Sequence, residues 1–332
     1  MPHFCDVCAA DITSIADNID YPIEGMSICP SCQDMCVREC DDCGIAYYSA
    51  HTSRQPTICG DCQEIREQQE RDEQETSERS SLVREYGFRV EEEFSFLGKP
   101  ADGMYMGVEL EIECVRAYYK SIAESVKEGL EQKIPGYARK ETIAVMKEDW
   151  SLDCGLEIVT IPLSYSLQKY VWKNICNTLS GIDGIKSHDT DTCGLHVHVT
   201  KPRVLTPLHI GKLVVFLNLP ENKNFLAAFA RRSDNSYAKF EKKKLTDHRG
   251  TERYEVLNLT NTNTVEFRLF KGSLKLQTIL ATLDFVHSLV KYTKMCSTKA
   301  LGHKEYLLWL TKEGEYQDMK QWVKKNRHHI IN

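Results

Sequence analysis

The chain has 332 residues, 42% of them hydrophobic and 27% charged, with a formal net charge of -6. That composition describes a folded protein with room for one large domain and a small one, not a disordered chain, and it leaves no global basic footprint for nucleic acid or a membrane surface. The longest apolar run, LVVFLNL from Leu213, is too short to span a bilayer, and the first residues do not resemble a signal peptide, so a cytoplasmic protein is expected.

Nine of the 14 cysteines lie between residues 5 and 62, mostly as CxxC pairs, which argues for metal rather than disulfides. The knuckles are Cys5-x2-Cys8, Cys29-x2-Cys32, Cys40-x2-Cys43 and Cys59-x2-Cys62, with Cys36 left over. Zinc takes four thiolates in a tetrahedron, and a two-residue spacer lets both sulfurs of a knuckle reach one ion. Two structural Zn²⁺ sites are therefore expected in residues 1–62, in preference to an iron–sulfur or redox role. Consecutive pairing would join Cys5, Cys8, Cys29 and Cys32 on one ion and Cys40, Cys43, Cys59 and Cys62 on the other; cross-braced pairing is the alternative. The segment is poor in apolar residues, so the metal would carry much of its folding free energy.

Residues 63–84 form a linker. Its QEIREQQERDEQETSERSS run has almost nothing to bury, and it reads either as a solvated helix with pairs such as Glu67 and Arg71 or as a flexible tether.

Residues 85–332 read as one domain. Strand patterns fall at 105–114, 142–148, 155–161, 194–200, 253–259 and 264–270. Helical patterns fall at 118–133, 164–179, 206–218, 221–231 and 274–295, with two more near the C-terminus. Strands in adjacent pairs, followed by helices, predict an α+β fold with a mostly antiparallel sheet.

Four of these strands share a plan. GVELEIE (107–113) alternates Glu109, Glu111 and Glu113 with Val108, Leu110 and Ile112; GLEIVT (155–160) sets Glu157 opposite Leu156 and Ile158. GLHVHVT (194–200) puts His196 and His198 opposite Leu195, Val197 and Val199, and TVEFRLF (264–270) puts Glu266 and Arg268 opposite Val265, Phe267 and Leu269. Singly, each strand fits a sheet with one wet face. Together in one sheet they would collect several carboxylates, two imidazoles and an arginine, a face that repels itself unless divalent cations such as Mg²⁺ or Mn²⁺ cancel the charge. Arg231, Arg232, Arg253, Arg268 and Lys271, with the lysine-rich stretch 236–253, supply positive groups suited to phosphate. No Gly-rich phosphate loop is present, so a nucleotide would be held by metal and arginine.

GVELEIE, DWSLDCGLEIVTIPL, CGLHVHVT, RYEVLNL and TVEFRLF, in this order over roughly residues 100–275, resemble the motifs of the amidoligase family, which shares the carboxylate-amine ligase fold of glutamine synthetase and glutamate-cysteine ligase. The resemblance implies an antiparallel sheet curved around a cleft, ATP held by Mg²⁺ (or Mn²⁺), and ATP-dependent amide-bond formation. It implies metal binding by Glu109, Glu111, Glu157, His196 and Glu266, with Asp149 as a partner of Glu157. It implies nucleotide contacts by His196, and His198 lines the same cleft. Arg253 and Lys271 also fall on the nucleotide side in this reading. Arg268 and Arg231 or Arg232 would contact phosphate or acyl-phosphate oxygens, and Glu113 or Asp149 would take the proton of the amine. Tyr254 and Asn258 match family positions without an assigned role, and Trp150 replaces a small residue of the family's DGSL-like run. Zinc knuckles before such a domain resemble phage-encoded arrangements. The expected partners are a carboxylate and an amine substrate, with a protein or nucleic-acid target reached through the zinc module; no membrane is involved and an oligomer is open. A metal-dependent hydrolase using the same His and Glu face, and a non-catalytic zinc-module adaptor, are the competing readings.

Overall fold

The computed structural model describes residues 2–15, 23, 25–49, 57–201, 204–232 and 255–327, and of residues 72–81 the backbone alone. It divides into two compact units, Met1–Glu78 and Arg79–Asn332. Its architecture is α+β, with a large and mostly antiparallel sheet in the second unit.

In the first unit, α1 (Pro30–Cys36), the hairpin strands β1 (Val37–Glu39) and β2 (Ala46–Tyr48), and α2 (Gly60–Leu82) follow the cysteine knuckles. Among the described residues its buried cluster is Cys5, Ile12, Ile28 and Cys32. The charged run 63–81 is helical, as part of α2, and Gln63 and Arg71 both reach Glu67 one turn away.

In the second unit the main sheet runs in the order β12-β13-β11-β4-β8-β7-β3, with β9 and β10 each pairing with β4. Its strands are β3 (Val83–Arg84), β4 (Tyr105–Cys114), β7 (Ala144–Lys147), β8 (Gly155–Thr160), β9 (Leu163–Ser164), β10 (Ile185–Lys186), β11 (Gly194–Thr200), β12 (Leu257–Asn258) and β13 (Thr264–Lys271). Among the described strands only β3 and β7 pair in parallel. The four strands with the shared plan, β13, β11, β4 and β8, are successive neighbours at its centre.

Three elements depart from the periodicity. The pattern over 118–133 holds a short helix, α4 (Tyr119–Lys127), and then the strand β5 (Glu131–Lys133) paired with β6 (Lys140–Thr142). Between them, Gly129 packs so closely on Thr178 that a Cβ there would meet its Oγ1 at 2.7 Å. The strand over 142–148 is divided between β6 and β7, because the Ile143 N–H bonds Leu130 O and its carbonyl accepts from Ile161. Of 253–259, Arg253 and Tyr254 lie outside the described residues. The rest narrows to β12, after which Thr260 turns the chain by donating its N–H and Oγ1–H to Asn258 Oδ1.

Helices cover the apolar back of the sheet. Beside the short α3 (Val90–Glu93) they are α5 (Tyr165–Ser180), α6 (Pro207–Asn218), α7 (Lys223–Ala230), α8 (Leu276–Met295), α9 (His303–Lys312) and α10 (Gln317–Lys325). Val108, Leu110, Ile112, Leu156, Ile158, Leu195, Val197 and Val265 are all completely buried. α8 is buried nearly all round because α5, α6, α9 and α10 surround it. Two polar anchors set its position and that of α5. Gln168 donates to Met106 O and Thr160 Oγ1, tying α5 to the sheet, while Asp284 accepts from Tyr165, Lys169 and the first N–H groups of α10.

Thr206 caps α6, with Pro207 at its first position, and turns His209 into the core, where Nε2 meets Val290 O at 2.9 Å. Burial, with Lys212 and Lys294 nearby, pulls His209 down to about 4. The folded state therefore binds this proton less readily than the unfolded chain, whose imidazole titrates near 6.5. Its contribution to stability is complete above about 6.5 and is lost as pH falls toward about 4. Urea unfolding of the wild type is expected to show a midpoint that drops across this window, and His209→Gln is expected to flatten the drop.

Candidate functional site

The two cysteine groups of the first unit have the same local build. In each, an N–H opposite the knuckle donates to its first sulfur: Cys29 N to Cys5 Sγ at 3.2 Å and Cys59 N to Cys40 Sγ at 3.3 Å. In each, the first knuckle closes on a residue with positive φ, Ala9 at 58° and Gly44 at 70°, and a helix begins at the second. The sulfurs assemble as Cys5, Cys8, Cys29 and Cys32, and as Cys40, Cys43, Cys59 and Cys62, which is the consecutive pairing. Cys8 and Cys29 Sγ lie 3.7 Å apart and Cys43 and Cys59 Sγ 3.9 Å apart. A tetrahedron with Zn–S bonds of about 2.3 Å has edges of about 3.8 Å, so the arrangement fits zinc. Backbone N–H groups, that of Cys59 first, bring the Cys40 thiol down to about 6. At Cys5, burial works the other way, but the N–H groups of Cys29, Cys8 and Val7 outweigh it and also bring the thiol to about 6. Cys36 belongs to neither group. Zinc analysis of the purified chain is expected to give two ions. Cys5→Ser combined with Cys29→Ser is expected to leave one; cross-bracing would instead disturb both.

In the second unit, cross-strand register assembles the front of the sheet. His196 stands opposite Glu109 and His198 opposite Gly107. Glu111 stands opposite Glu157, which in turn faces Lys147. On the other side Glu266 stands between His198 and Asn258. Directly opposed residues put their side chains on one face, so these pairs meet.

The resulting contacts are close. His196 Nδ1 lies 3.4 Å from Glu109 Oε2 and 3.7 Å from Glu266 Oε1, and its Nε2 lies 3.8 Å from Glu111 Oε1. His198 Nε2 is 3.1 Å from Glu109 Oε1 but out of hydrogen-bond alignment, which leaves that buried nitrogen without a hydrogen-bond partner. The ligand atoms form three overlapping groups of metal-binding size: Glu109, His198 and Glu266; Glu109, Glu157 and His196; and Glu111, Asp149 and Glu157. Asp149 is oriented by the Ser151 N–H, 2.8 Å from its Oδ1. The all-oxygen group suits Mg²⁺, and the two with an imidazole suit Mn²⁺ as well.

The electrostatics of the patch are dominated by carboxylate burial. Burial, followed by the charge of Glu109, pushes Glu157 well above the usual carboxylate range despite Lys147 at 3.6 Å, and burial also raises Glu111. Burial acts the same way on Glu109 and Glu266, but at both His198 outweighs it, helped by His196 at Glu109 and by Arg268 at Glu266, so both are lowered. His198 is correspondingly raised to about 9, the two glutamates overcoming its burial. A proton on His198 and the guanidinium of Arg268 thus do part of what a divalent ion does for such a cluster.

The remaining expected residues divide. Arg268 binds Glu266 through Nη1 and keeps a buried Nε without a partner. Arg232 donates to Cys193 O at 2.9 Å and senses the charge of Glu111, while Arg231 donates to Lys271 O and keeps a second buried, unpartnered Nε. Burial, then Arg232, brings Arg231 down to about 10. Glu113 accepts from Thr192 and stands outside the three groups. Lys271 reaches the front through an irregularity: the register slips between Leu195 and Val197, one extra residue entering β13, so that Lys271 opposes Gly194. Arg253 and the lysine-rich stretch from 236 lie outside the described residues.

Three supporting residues escape strand periodicity. Asn258 and Asn261 donate to Glu266 Oε2 at 2.8 and 3.2 Å, and Lys147 pairs with Glu157. Only the register, which a single strand does not reveal, brings Asn258 and Lys147 to their glutamates. Gly194 has a specific reason to be glycine: its N–H donates to Glu111, and a Cβ on it would meet His196 Nε2 at 2.7 Å. Gly194→Ala is expected to cost about 1–3 kcal/mol of stability through overpacking. It is also expected to weaken Mn²⁺ binding at least tenfold, read by paramagnetic titration.

From Glu109 and His198 a cleft of about 730 Å³ extends past Gly107 and Tyr105 between Phe88, Phe96 and Thr262. A sheet front with overlapping metal-ligating groups, opening into a cleft and edged by arginines, defines an α+β protein with a candidate multi-metal centre.

No family model matches the chain, and no curated protein matches it. Among solved structures it is similar to the crystal structure of the complex between Prokaryotic Ubiquitin-like Protein Pup and its Ligase PafA, with 12% sequence identity and a TM-score of 0.32 over 57% of this chain and 46% of that one. The chain thus spans less than half the length of that neighbour. No helix among the described residues is long and apolar enough to cross a membrane.

Proposed function

We propose that the chain is an ATP-dependent carboxylate-amine ligase that forms an amide bond through an acyl phosphate. The observation that carries the reading is the meeting of Glu109, Glu111, Asp149, Glu157, His196, His198 and Glu266 in three overlapping groups beside an open cleft. The ordered motifs that resemble the amidoligases support it. Glu109, Glu157, Glu266 and the two histidines would hold Mg²⁺ or Mn²⁺, with Glu111 and Asp149 completing the third group. A divalent ion held by these residues would supply neutralisation of phosphate-oxygen charge.

The chemistry follows from what a carboxylate lacks. Its leaving group would be oxide, so it does not acylate an amine. Transfer of the γ-phosphoryl group to a carboxylate oxygen breaks the bond to the β-phosphate, releases ADP and creates a good leaving group. Arg268 and Arg232, at the rim of the cluster, stabilise the transferring phosphoryl group, and the unpartnered Nε–H groups of Arg268 and Arg231 are donors in reserve. The amine nitrogen then attacks the acyl carbon, the bond to phosphate breaks, and phosphate leaves. Glu113, outside the metal-binding groups, is the carboxylate free to take the amine proton.

The zinc unit would recruit the target. Residues 1–62 contain ten Asp and Glu against two Arg and no Lys, a balance that favours a protein target over nucleic acid.

Calorimetric titration with a non-hydrolysable ATP analogue is the test. Binding is expected to require Mg²⁺ and to fall at least tenfold in both Glu111→Ala and His196→Ala. Metal binding without nucleotide binding in folded, zinc-loaded protein would overturn the ligase in favour of a hydrolase, and absence of both would favour an adaptor.

A further inference from the structure

The turn between β12 and β13, residues 259–263, is clasped by a single residue. Lys201, which directly follows β11, donates its backbone N–H to Asn263 O at 2.8 Å, and its ammonium donates to Leu259 O at 2.9 Å and to Asn261 O. Three alternate carbonyls of the turn thus converge on one lysine. Its side chain is half-buried. An ammonium drawn out of water costs free energy unless its protons find acceptors, and a long stem held in one place loses rotamer freedom. An ordinary surface turn does without such a clasp.

What the turn carries explains why it is clasped here. Asn261 donates to Glu266 Oε2 at 3.2 Å, and Thr260 fixes Asn258, the other amide donor to that oxygen, by giving its N–H and Oγ1–H to Asn258 Oδ1. Thr264, where the chain re-enters the sheet, places its Oγ1 3.1 Å from His198 Nδ1. Glu266 and His198 form one metal-binding group with Glu109. The acids of the other groups have supports outside this turn: Glu157 on Lys147, Glu111 on the Gly194 N–H and Asp149 on the Ser151 N–H. Residues 260–263 also line the cleft.

We infer that Lys201 is a positioning residue for the group of Glu109, His198 and Glu266, acting on it through residues 259–263. The inference rests on the reading of that group as a divalent-cation site, and not on the reaction the ion would serve. Partners that orient metal ligands are worth about 10–100-fold in affinity. Without the clasp, Asn261 is released from the place where it meets Glu266, and the group loses its preset geometry. The all-oxygen group of Glu111, Asp149 and Glu157 has no member supported by this turn and keeps its own.

The test is calorimetric titration of the full zinc-loaded chain with Mn²⁺, beside hydrogen exchange of the turn before Mn²⁺ is added. Lys201→Met keeps the stem and removes the charge. It is expected to speed exchange of the turn amides and to weaken one Mn²⁺ step about tenfold, leaving the others within about twofold; Lys201→Arg is expected to recover most of the loss. The weakened step is expected to be the one that Glu266→Gln impairs, so the double variant binds no more weakly than Glu266→Gln alone. Additive losses, equal weakening of every step, or an unchanged titration would each overturn the inference. Asn261→Ala leaves the clasp whole and is expected to weaken the same step. Should Lys201→Met fail to fold, that variant decides: a normal titration overturns the inference. Absence of Mn²⁺ binding by the folded wild type overturns the cation-site reading and this inference with it, whereas binding indifferent to Lys201→Met overturns the inference alone.

Discussion

Glu109, Glu111, Glu157 and Glu266 keep no more than a fifth of their side-chain surface in water, and they share one patch of sheet. Mutual repulsion at that depth is severe, since neither solvent nor distance screens it. The surroundings are arranged around this constraint. Arg268, Lys147 and His198 provide positive charge, while Asn258, Asn261 and the Gly194 N–H bond carboxylate oxygens. What they provide falls short of neutrality, as the raised Glu157 and Glu111 show. A divalent cation is the simplest group that would complete it.

Such a patch needs a rigid floor, because ligand atoms that drift lose both geometry and charge balance. The floor is the opposite side of the same strands, whose apolar residues are fully withdrawn from water against α5 and α8. Gln168 and Asp284 settle the polar groups that this packing buries, so the helices have one seat rather than several. Precision in the front is thereby drawn from the back. The glycine at 194 and the register slip in β13 are the two local exceptions to regular pleating, and both lie beside the cluster.

The first unit solves its folding in a different way. Among the described residues its buried cluster has four members, two of them cysteines, a small apolar core for a unit of this size, and the repeated knuckle-and-helix build brings four sulfurs to tetrahedral spacing twice. The same set of backbone hydrogen bonds recurs in the two halves, Asp6 N to Ser27 O in one and Asp41 N to Thr57 O in the other. The spacing of the CxxC pairs pointed to metal as the organising element, and the sulfurs gather in groups that could hold it. It did not show the repeat, because the sequences between the knuckles differ in length.

Alternation in β4, β8, β11 and β13 was enough to separate an apolar back from a charged front, since side chains on a strand strictly alternate. The same local rule determined the α+β class and most helices, and knuckle spacing determined the cysteine groups' membership up to their pairing. The local rule fails where a contact distant in sequence decides. Gly129 against Thr178 ends α4, and Ile143 leaves the strand pattern to bond Leu130 and Ile161. The extra residue in β13 turns Lys271 to the front, and register alone delivers Asn258 to Glu266 and Lys147 to Glu157. The sequence by itself determined which residues carry the charge and which face each takes. Tertiary structure alone decided which of them touch, because strand order and register are fixed by the packing of the whole sheet and are not written in any one strand.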